Sequence, residues 1–151
     1  MFWLQKNTKS KMSNSYFLGE SIFSAGGVLI DESKNLVFLV FKEAIGEWLL
    51  PKGRMAEKES VEQTASREIF EETGYKNEVG KLLSVQVRPD VVDPSKSKVI
   101  FWFCCKLLSR TRVEGTQESD ENFSGKWFVK DEAIKVLKWD DDKRLIELSI
   151  N

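Results

Sequence analysis

The sequence predicts an α+β domain in which a few helices pack on a mixed β-sheet. Its 151 residues are an ordinary length for one domain, and 41% apolar with 31% charged residues is typical of a globular chain. Short segments rich in β-forming residues outnumber the amphipathic helical segments. We therefore expect one domain over residues 19–151, preceded by an N-terminal extension over residues 1–18 that contains no acidic residue.

The first part of the chain predicts three strands. Residues 21–30, SIFSAGGVLI, are rich in β-forming side chains, and Gly26 and Gly27 favour a bulge or the close approach of another backbone. Leu36–Lys42, LVFLVFK, predicts a central strand. A short third strand is expected over residues 47–50, because a proline follows it.

A helix is expected over Val61–Thr73 because both of its ends carry termination signals. Ser60 is a suitable N-cap, since its hydroxyl accepts a hydrogen bond from a backbone amide of the first turn. Gly74 suits the position after the last turn, where the left-handed conformation is common.

The rest of the chain predicts two long strands, a loop, a short strand and two helices. The long strands, over residues 79–88 and 99–108, are separated by a proline-containing loop and are expected to pair. The polar segment 111–124 predicts a loop, and Asp131 is a suitable cap for the helix that it begins. The remaining elements are a strand over 126–129 and helices over 131–137 and 141–150.

Charge and histidine content disfavour several functional classes. The net charge of −1, from 23 basic and 24 acidic residues, does not favour bulk binding of nucleic acid. The chain contains no histidine, the commonest zinc ligand and general base. Catalysis would therefore depend on carboxylates, hydroxyls or a bound metal.

The cysteines indicate a reducing compartment. Cys104 and Cys105 are adjacent, so on a strand they point to opposite faces and are poorly placed to pair with each other. We expect a cytoplasmic location, with the nucleus as the alternative and organellar targeting disfavoured. No apolar run approaches the roughly 18 residues needed to cross a bilayer, so no membrane partner is expected.

Three acids on the central helix are the main functional signal. Glu68, Glu71 and Glu72 lie at i, i+3 and i+4, and Glu68 and Glu72 fall on the same side as Val61 and Ala65. Their carboxylates should therefore face the body of the protein. Two carboxylates about 5 Å apart repel by roughly 3 kcal/mol at an effective dielectric constant near 20, so three of them predict a nearby cation.

Two cations could meet this need. Arg67 supplies one positive charge, either to Glu71 at i+4 or to a neighbouring carboxylate. One guanidinium does not balance three acids, whereas a divalent ion with oxygen ligands does, and Mg²⁺ is the usual ion where carboxylates meet substrate phosphates. The alternative interpretation is a solvent-exposed salt-bridge helix, which the predicted inward orientation disfavours.

The spacing of these acids resembles the Nudix box of phosphohydrolases that cleave a nucleoside diphosphate linked to another moiety. Residues 53–75, GRMAEKESVEQTASREIFEETGY, satisfy every specified position of that motif. Those positions are Gly53, Glu59, Arg67, Glu68, Ile69, Glu71, Glu72, Gly74 and Tyr75. The order of elements on either side is also similar to the Nudix fold, an α/β/α sandwich.

The resemblance implies hydrolysis of a phosphoanhydride by attack of water at phosphorus. The implied ligands of a divalent cation, Mg²⁺ or Mn²⁺, are Glu68, Glu71, Glu72 and a backbone carbonyl at Gly53. Gly53 is expected to be glycine because a side chain would block that approach. Glu59 is expected to have a structural role beside the helix, paired with Arg67.

The general base is left open between two parts of the chain. Glu68 is the first candidate, and Arg67 beside it is expected to support catalysis. Some Nudix enzymes instead use an acid from a later loop, and here Glu118, Asp120 and Glu121 lie in such a polar loop.

The substrate class is suggested by the entry to the box. Residues 48–54, WLLPKGR, resemble the entry in Nudix enzymes acting on diadenosine polyphosphates and on diphosphoinositol polyphosphates. A polyphosphate chain requires positive charge at that loop. The residues expected to bind substrate are Trp48, Lys52, Arg54, Lys58 and Arg88, with Lys96 and Lys98 as weaker candidates.

Other substrates and one non-enzymatic role remain as alternatives. A dinucleotide requires an aromatic platform, which Trp48, Phe41 or Trp102 could supply, although such residues more often lie in a core. The box entry also resembles that of messenger-RNA decapping enzymes, but the last helix lacks the basic character that RNA binding requires. Nucleoside triphosphates are a further alternative. A Nudix-like scaffold is disfavoured because all three acids are present. The expected partner is a small-molecule polyphosphate.

Overall fold

The computed structural model describes residues 20–118 and 121–150, so the predicted extension lies outside the described residues. No helix of the described residues is long and apolar enough to cross a membrane. The elements in chain order are β1 Ser21–Asp31, β2 Leu36–Lys42, β3 Glu47–Leu49, β4 Lys52–Arg54, α1 Val61–Thr73, β5 Asn77–Pro89, β6 Ser97–Leu107, β7 Phe123–Val129, α2 Lys130–Val136 and α3 Asp140–Ser149.

The sheet has seven strands and is mixed. Its main path runs β3, β2, β1, β6 and β5, while β4 pairs with β1 and β7 pairs with β2. Strands β1 and β6 are parallel over ten residue pairs, and all other neighbours are antiparallel. The predicted pairing of the two long strands, β5 and β6, is confirmed.

Helices cover both faces of this sheet. Ala65 and Ile69 of α1 are fully buried against Leu29 and Phe38 on one face. A second apolar cluster on the other face joins the sheet to α2 and α3, with Ile146 fully buried within it. This α/β/α arrangement confirms the predicted fold class.

Helix α1 begins and ends where the sequence predicts. The Ser60 hydroxyl accepts a hydrogen bond from the Gln63 amide (3.1 Å), and the Gln63 side-chain oxygen accepts one from the Ser60 amide (2.8 Å). This reciprocal capping box satisfies two amides that the helix leaves free. At the other end Gly74 adopts φ 80°, and its amide donates to the Phe70 carbonyl.

Strands β1 and β2 form a fork, because β1 pairs with β2 only over residues 29–31 and with β4 over residues 24–26. The β3–β4 segment fills the opening between the two strands. Gly26 makes this approach close, since a Cβ atom there would lie 2.1 Å from the Pro51 carbonyl oxygen. The predicted close backbone approach at this glycine is therefore observed.

Three local predictions are wrong. Lys52–Arg54 is a strand and not part of a loop, because β1 offers it free backbone groups to pair with. Strand β7 begins at Phe123 and not at residue 126, because it pairs with the whole length of β2. Asp131 does not cap α2, which begins at Lys130 after Val129 and has no side-chain cap.

Replacing Gly26 by alanine should destabilise the fold, because the new methyl group collides with backbone atoms of Pro51 and Lys52. We expect a loss of about 1–3 kcal/mol in the free energy of unfolding, measured by urea denaturation. Gly80→Ala is the matched control, since its Cβ would meet only the Cys104 carbonyl, at 3.0 Å. Equal losses in both variants would show that the β1–β4 approach tolerates a side chain.

Candidate active site

The acidic residues of α1 face the body of the protein, as their spacing predicts. Glu68 and Glu72 are only 8% and 4% exposed, and Glu71 is half-buried. Two carboxylates on one helical turn are thus held away from bulk water. Such an arrangement is costly unless positive charge lies beside it.

Arg67 supplies part of that charge and joins four groups. Its Nη1 atom lies 2.9 Å from Glu68 Oε1 and 3.1 Å from Glu71 Oε2. Its Nε atom donates to Glu59 Oε2 at 2.6 Å, and Nη2 donates to the Arg54 carbonyl at 2.9 Å. These contacts hold the guanidinium against its neighbours, so it links the carboxylates of α1 to the loop and to β4.

Glu59 fastens the loop before α1. Besides Arg67, its carboxylate accepts hydrogen bonds from the Ala56 amide (2.9 Å) and the Thr64 hydroxyl (2.8 Å). The hydrogen bond from Arg67 is the main reason that the pKa of Glu59 falls to about 2. The contacts are those of a residue that fixes the position of the helix relative to the loop.

Gly53 lies directly against Glu68. A Cβ atom at Gly53 would be 2.0 Å from the Glu68 carboxyl carbon. The sequence prediction was that glycine leaves space for a ligand, whereas in the structure the Glu68 carboxylate takes that space. Any other residue here would displace this carboxylate from the β4 backbone.

Glu72 is more deeply buried than Glu68 and also contacts β4. Its carboxylate accepts a hydrogen bond from the Lys52 amide. Burial, followed by the negative charges of Glu68 and Glu121, raises the pKa of Glu72 well above its usual value. Burial likewise raises the pKa of Glu68, although the hydrogen bond from Arg67 opposes that rise. The positive charge of Arg67 therefore does not fully balance the negative charges of these carboxylates.

A cavity of about 210 Å³ opens beside Glu72. Its polar lining includes Lys52, Arg88 and Glu121, and the positive charge of Lys98 acts on Lys52. Burial and the positive charges of Lys98 and Arg88 lower the pKa of Lys52 to about 8. Within the described residues, the buried Nε atom of Arg88 has no hydrogen-bond partner. Basic and acidic groups thus face one another across the cavity.

The other predicted basic residues lie further out. Arg54 is exposed at the end of β4, and Lys58 is exposed on the loop that leads into α1, where it has a positive φ of 64°. Lys96 forms a salt bridge with Glu20 (3.1 Å) instead of joining Lys98. Only Lys52, Arg88 and Lys98 of the predicted basic set therefore meet at the cavity.

The late loop reaches the site through one of its acids. Glu121 lines the cavity with Glu72 and also a second depression beside Thr73, whereas Glu118 is exposed and lines only the second depression. Asp120 lies outside the described residues. The same loop anchors the end of α1, because the Thr116 hydroxyl donates to the Glu71 carbonyl at 2.8 Å.

Of the aromatic residues predicted to contact a base, Trp48 does not line the cavity. Trp48 packs against Phe41 and Phe128, with ring centroids 5.0 and 4.9 Å apart, and supports the core on the α2 side. It is not among the residues that line the cavity. Trp102 does line it, and its indole nitrogen donates to Gln86.

Sequence reasoning missed several residues of the cavity lining, including the basic residue Lys42. Phe123, Trp139 and Asp142 complete its lining from β7 and from the start of α3. Burial raises the pKa of Asp142 to about 6. In the sequence, Trp139 and Asp142 belong to a tryptophan followed by three aspartates at the start of a helix. Acids in the first turn are common because they interact favourably with the helix dipole, so this pattern does not by itself indicate a binding site.

The acids of α1 do not form a compact cluster of three carboxylates. Among residues 20–118 and 121–150, no group of three cysteine, aspartate or glutamate side chains is close enough to hold one. Glu68 and Glu71 are instead both bonded to Arg67. The donor set nevertheless suits a hard divalent cation, because it consists of carboxylate oxygens with uncompensated negative charge around Glu72.

The sequence was compared with the sequence profiles of known protein families. The sequence profile of the NUDIX domain matches residues 21–148. The chain therefore belongs to the Nudix family, and the resemblance seen in residues 53–75 is confirmed.

Three curated relatives have different described activities. A nudix hydrolase of Caenorhabditis elegans is 31% identical over 126 residues, 82% of this chain and 30% of that protein. Human 8-oxo-dGDP phosphatase NUDT18 is 29% identical over 81% of this chain and 34% of its own length. Human diphosphoinositol polyphosphate phosphohydrolase 2 is 31% identical over 61% and 48%. The chain thus spans about a third to a half of the length of these relatives.

The fold is also found among solved structures. The Ap4A hydrolase of Caenorhabditis elegans, in a binary complex, has a TM-score of 0.68 with 22% identity. The match covers 84% of this chain and 93% of that chain. At this identity the likeness shows a common fold.

The Glu59–Arg67 contact predicts a pH-dependent stability. Glu59 has a folded pKa of about 2 against an ordinary value of 4.5, so its ionised form stabilises the fold above pH 4.5. This contribution is lost as the pH falls from about 4.5 towards 2. We expect Glu59→Gln to lower the free energy of unfolding by about 1–3 kcal/mol at pH 6, and the difference from wild type to vanish near pH 2.

Urea denaturation at several pH values measures this difference. Glu62→Gln is the control, because Glu62 is exposed on the same helix. A loss in Glu59→Gln that is constant with pH would show that the charge of Glu59 contributes nothing.

Proposed function

We propose that this chain hydrolyses a phosphoanhydride bond of a nucleotide-type polyphosphate, with a divalent cation held by the acids of α1. The observation that carries the proposal is the pair of buried carboxylates, Glu68 and Glu72, beside a cavity with basic residues on its wall. Folding alone would not favour this charge distribution. The chain belongs to the Nudix family, and its relatives include proteins named as a hydrolase and as a phosphatase. This membership supports the same reaction class.

The proposed metal ligands are Glu68, Glu71, Glu72 and the backbone carbonyl of Gly53, with Mg²⁺ or Mn²⁺ as the ion. When bound, the ion would neutralise charge on the phosphate oxygens and activate the attacking water. Glu71 would exchange its contact with Arg67 for the ion. Arg67 keeps its bonds to Glu59 and to the Arg54 carbonyl, so the loop and the helix stay joined.

The protein groups have distinct proposed roles in the displacement. Water attacks phosphorus, the bridging P–O bond breaks, and the leaving phosphate takes the electron pair. Glu68 is the first candidate for accepting the proton from water, because it is buried and lies against β4. Glu121 is the second candidate, since it lines the cavity with Glu72. Glu118 is less well placed, being exposed outside that cavity.

The substrate is proposed to carry both a phosphate chain and a base. Lys52, Arg88 and Lys98 provide the positive charge for phosphates. The aromatic lining of the same cavity favours a nucleotide, so diadenosine polyphosphates and other nucleoside polyphosphates come first. Diphosphoinositol polyphosphates are the second candidate, supported by the same basic cluster. Exposed Arg54 and Lys58 would bind more distant phosphates.

The cellular location of the protein is proposed from its cysteines. Cys104 and Cys105 are both free thiols in the described structure. Free thiols favour a reducing compartment, and the cytoplasm remains the proposed location. The proposed partner is a small-molecule polyphosphate.

A substrate panel tests the proposed function. It contains diadenosine tetra- to hexaphosphate, a diphosphoinositol polyphosphate, capped RNA and nucleoside triphosphates, each assayed for phosphate release with Mg²⁺, with Mn²⁺ and with chelator. We expect metal-dependent turnover of nucleotide substrates, and a loss of at least about a hundredfold in kcat/KM in Glu71→Gln. Full turnover in that variant, or in chelator, would rule out the proposed metal site.

Replacing Glu72 by glutamine tests two effects of its carboxylate: the loss of stability from its buried charge, and its role as a proposed metal ligand. Glutamine keeps an oxygen for the Lys52 amide but removes the buried charge beside Glu68 and Glu121. We expect the metal-free protein to gain about 1–3 kcal/mol in the free energy of unfolding. The same variant should lose the thermal stabilisation that Mg²⁺ or Mn²⁺ gives to the wild type.

Differential scanning calorimetry with and without the ion measures both effects. Glu62→Gln, a charge loss on the solvent side of α1, should change neither. Retained stabilisation by the ion in Glu72→Gln would contradict a ligand role for Glu72.

A further inference from the structure

The segment between β6 and β7 caps the carboxyl end of α1. An α-helix leaves its last four carbonyl groups without partners inside the helix. In α1 the last three of them accept hydrogen bonds from side chains of this segment, and the pairs are Glu71 with Thr116 (2.8 Å), Glu72 with Gln117 (3.5 Å) and Thr73 with Arg112 (2.9 Å). The segment is therefore joined to the same turn of α1 that carries two of the proposed metal ligands.

Gln117 also closes the last part of this segment. Its Oε1 atom accepts a hydrogen bond from the Phe123 amide at 3.0 Å, and its Nε2 atom donates to the Phe123 carbonyl at 2.7 Å. Two such bonds to the backbone of one residue are the pattern that a neighbouring strand makes in an antiparallel pair. The Gln117 side chain thus takes the place of a strand partner where β7 begins, and it joins β7 to the end of α1.

Glu121 lies within the part of the chain that Gln117 closes. Its backbone amide donates to the Glu118 carbonyl at 3.0 Å, and its Oε1 atom accepts a hydrogen bond from the Glu118 amide at 3.4 Å. Glu118 directly follows Gln117, so the position of the Glu121 carboxylate depends on where Gln117 is held. Glu121 lines the cavity with Glu72, and its negative charge acts on that residue.

We propose that Gln117 is a positioning residue of the metal site, which holds the Glu121 carboxylate beside the metal-binding turn of α1. This inference rests on the proposed function, because it concerns the same metal. A primary amide suits the role, since it offers an acceptor for one backbone group and two donors for others. Residues that orient the groups around a metal commonly contribute a factor of about 10–100 to its affinity.

The alternative role for Gln117 is stabilisation of the fold alone. A contact that only stabilises the fold would change metal binding by the same factor whether or not residue 121 carries a charge. A contact that acts through Glu121 would lose its effect once that charge is removed. A double-mutant cycle between Gln117 and Glu121 therefore distinguishes the two roles.

The Mn²⁺ affinity of the full chain, measured by titration calorimetry without substrate, is the readout. The cycle consists of the wild type, Gln117→Met, Glu121→Gln and the double variant. Methionine keeps the length of glutamine but has no amide. We expect each single variant to bind Mn²⁺ about tenfold more weakly than the wild type. The double variant should bind no more than about twofold more weakly than Glu121→Gln.

Thr116→Val is the matched control. It removes a cap of α1 but leaves both hydrogen bonds between Gln117 and Phe123. Any effect of this variant on Mn²⁺ affinity should multiply with that of Glu121→Gln, as expected for independent sites. Thermal denaturation of the metal-free proteins checks that each variant is folded. If Gln117→Met does not fold, Gln117→Asn replaces it in the cycle, because its shorter side chain keeps the amide but does not span the same groups.

The outcomes separate this inference from the proposed function. An unchanged Mn²⁺ affinity in either single variant, or a loss in the double variant equal to the product of the single losses, would overturn the positioning role even if the protein hydrolyses nucleotides. A loss that is not multiplicative would support the role even if no substrate is hydrolysed, and in that case only the proposed function fails. A wild type that binds no Mn²⁺ would overturn both.

Discussion

The site depends on the guanidinium group of Arg67. It bonds the Arg54 carbonyl of β4, the Glu59 carboxylate of the following loop, and Glu68 and Glu71 of α1. A planar fork with several fixed donors can join groups in this way, whereas the single ammonium of lysine cannot. Because these contacts fix the helix against β4, the Glu68 carboxylate rests on Gly53 at a distance that excludes any side chain.

The fork between β1 and β2 gives these residues their common location. In a regular sheet the two strands would pair along their whole length and leave no opening for β4. Here β4 enters beside Gly26 and carries Lys52 to the buried end of α1. The backbone amide of Lys52 contacts Glu72, and its ammonium group faces the cavity with Arg88 and Lys98. One short strand thus joins the acidic helix to the basic wall.

The cavity divides into two parts with different chemistry. The α1 side carries acids whose buried charge favours a divalent cation, and the α3 side carries aromatic rings and Asp142. The first part follows the motif shared with the Nudix family. The second part is built from residues outside that motif.

Local sequence determined α1 and the orientation of its acids, because end caps and the helical period depend on neighbouring residues alone. Other features were decided by the tertiary structure. Strand β4 and the start of β7 depend on partner strands distant in sequence, which local propensity does not contain. Trp48 and Trp102 are alike as sequence signals, but only Trp102, which is buried, also lines the cavity, whereas Trp48 is partly buried and packs against Phe41 and Phe128. Asp142 meets Arg88 only because α3 packs across β5, a contact that no short-range pattern encodes.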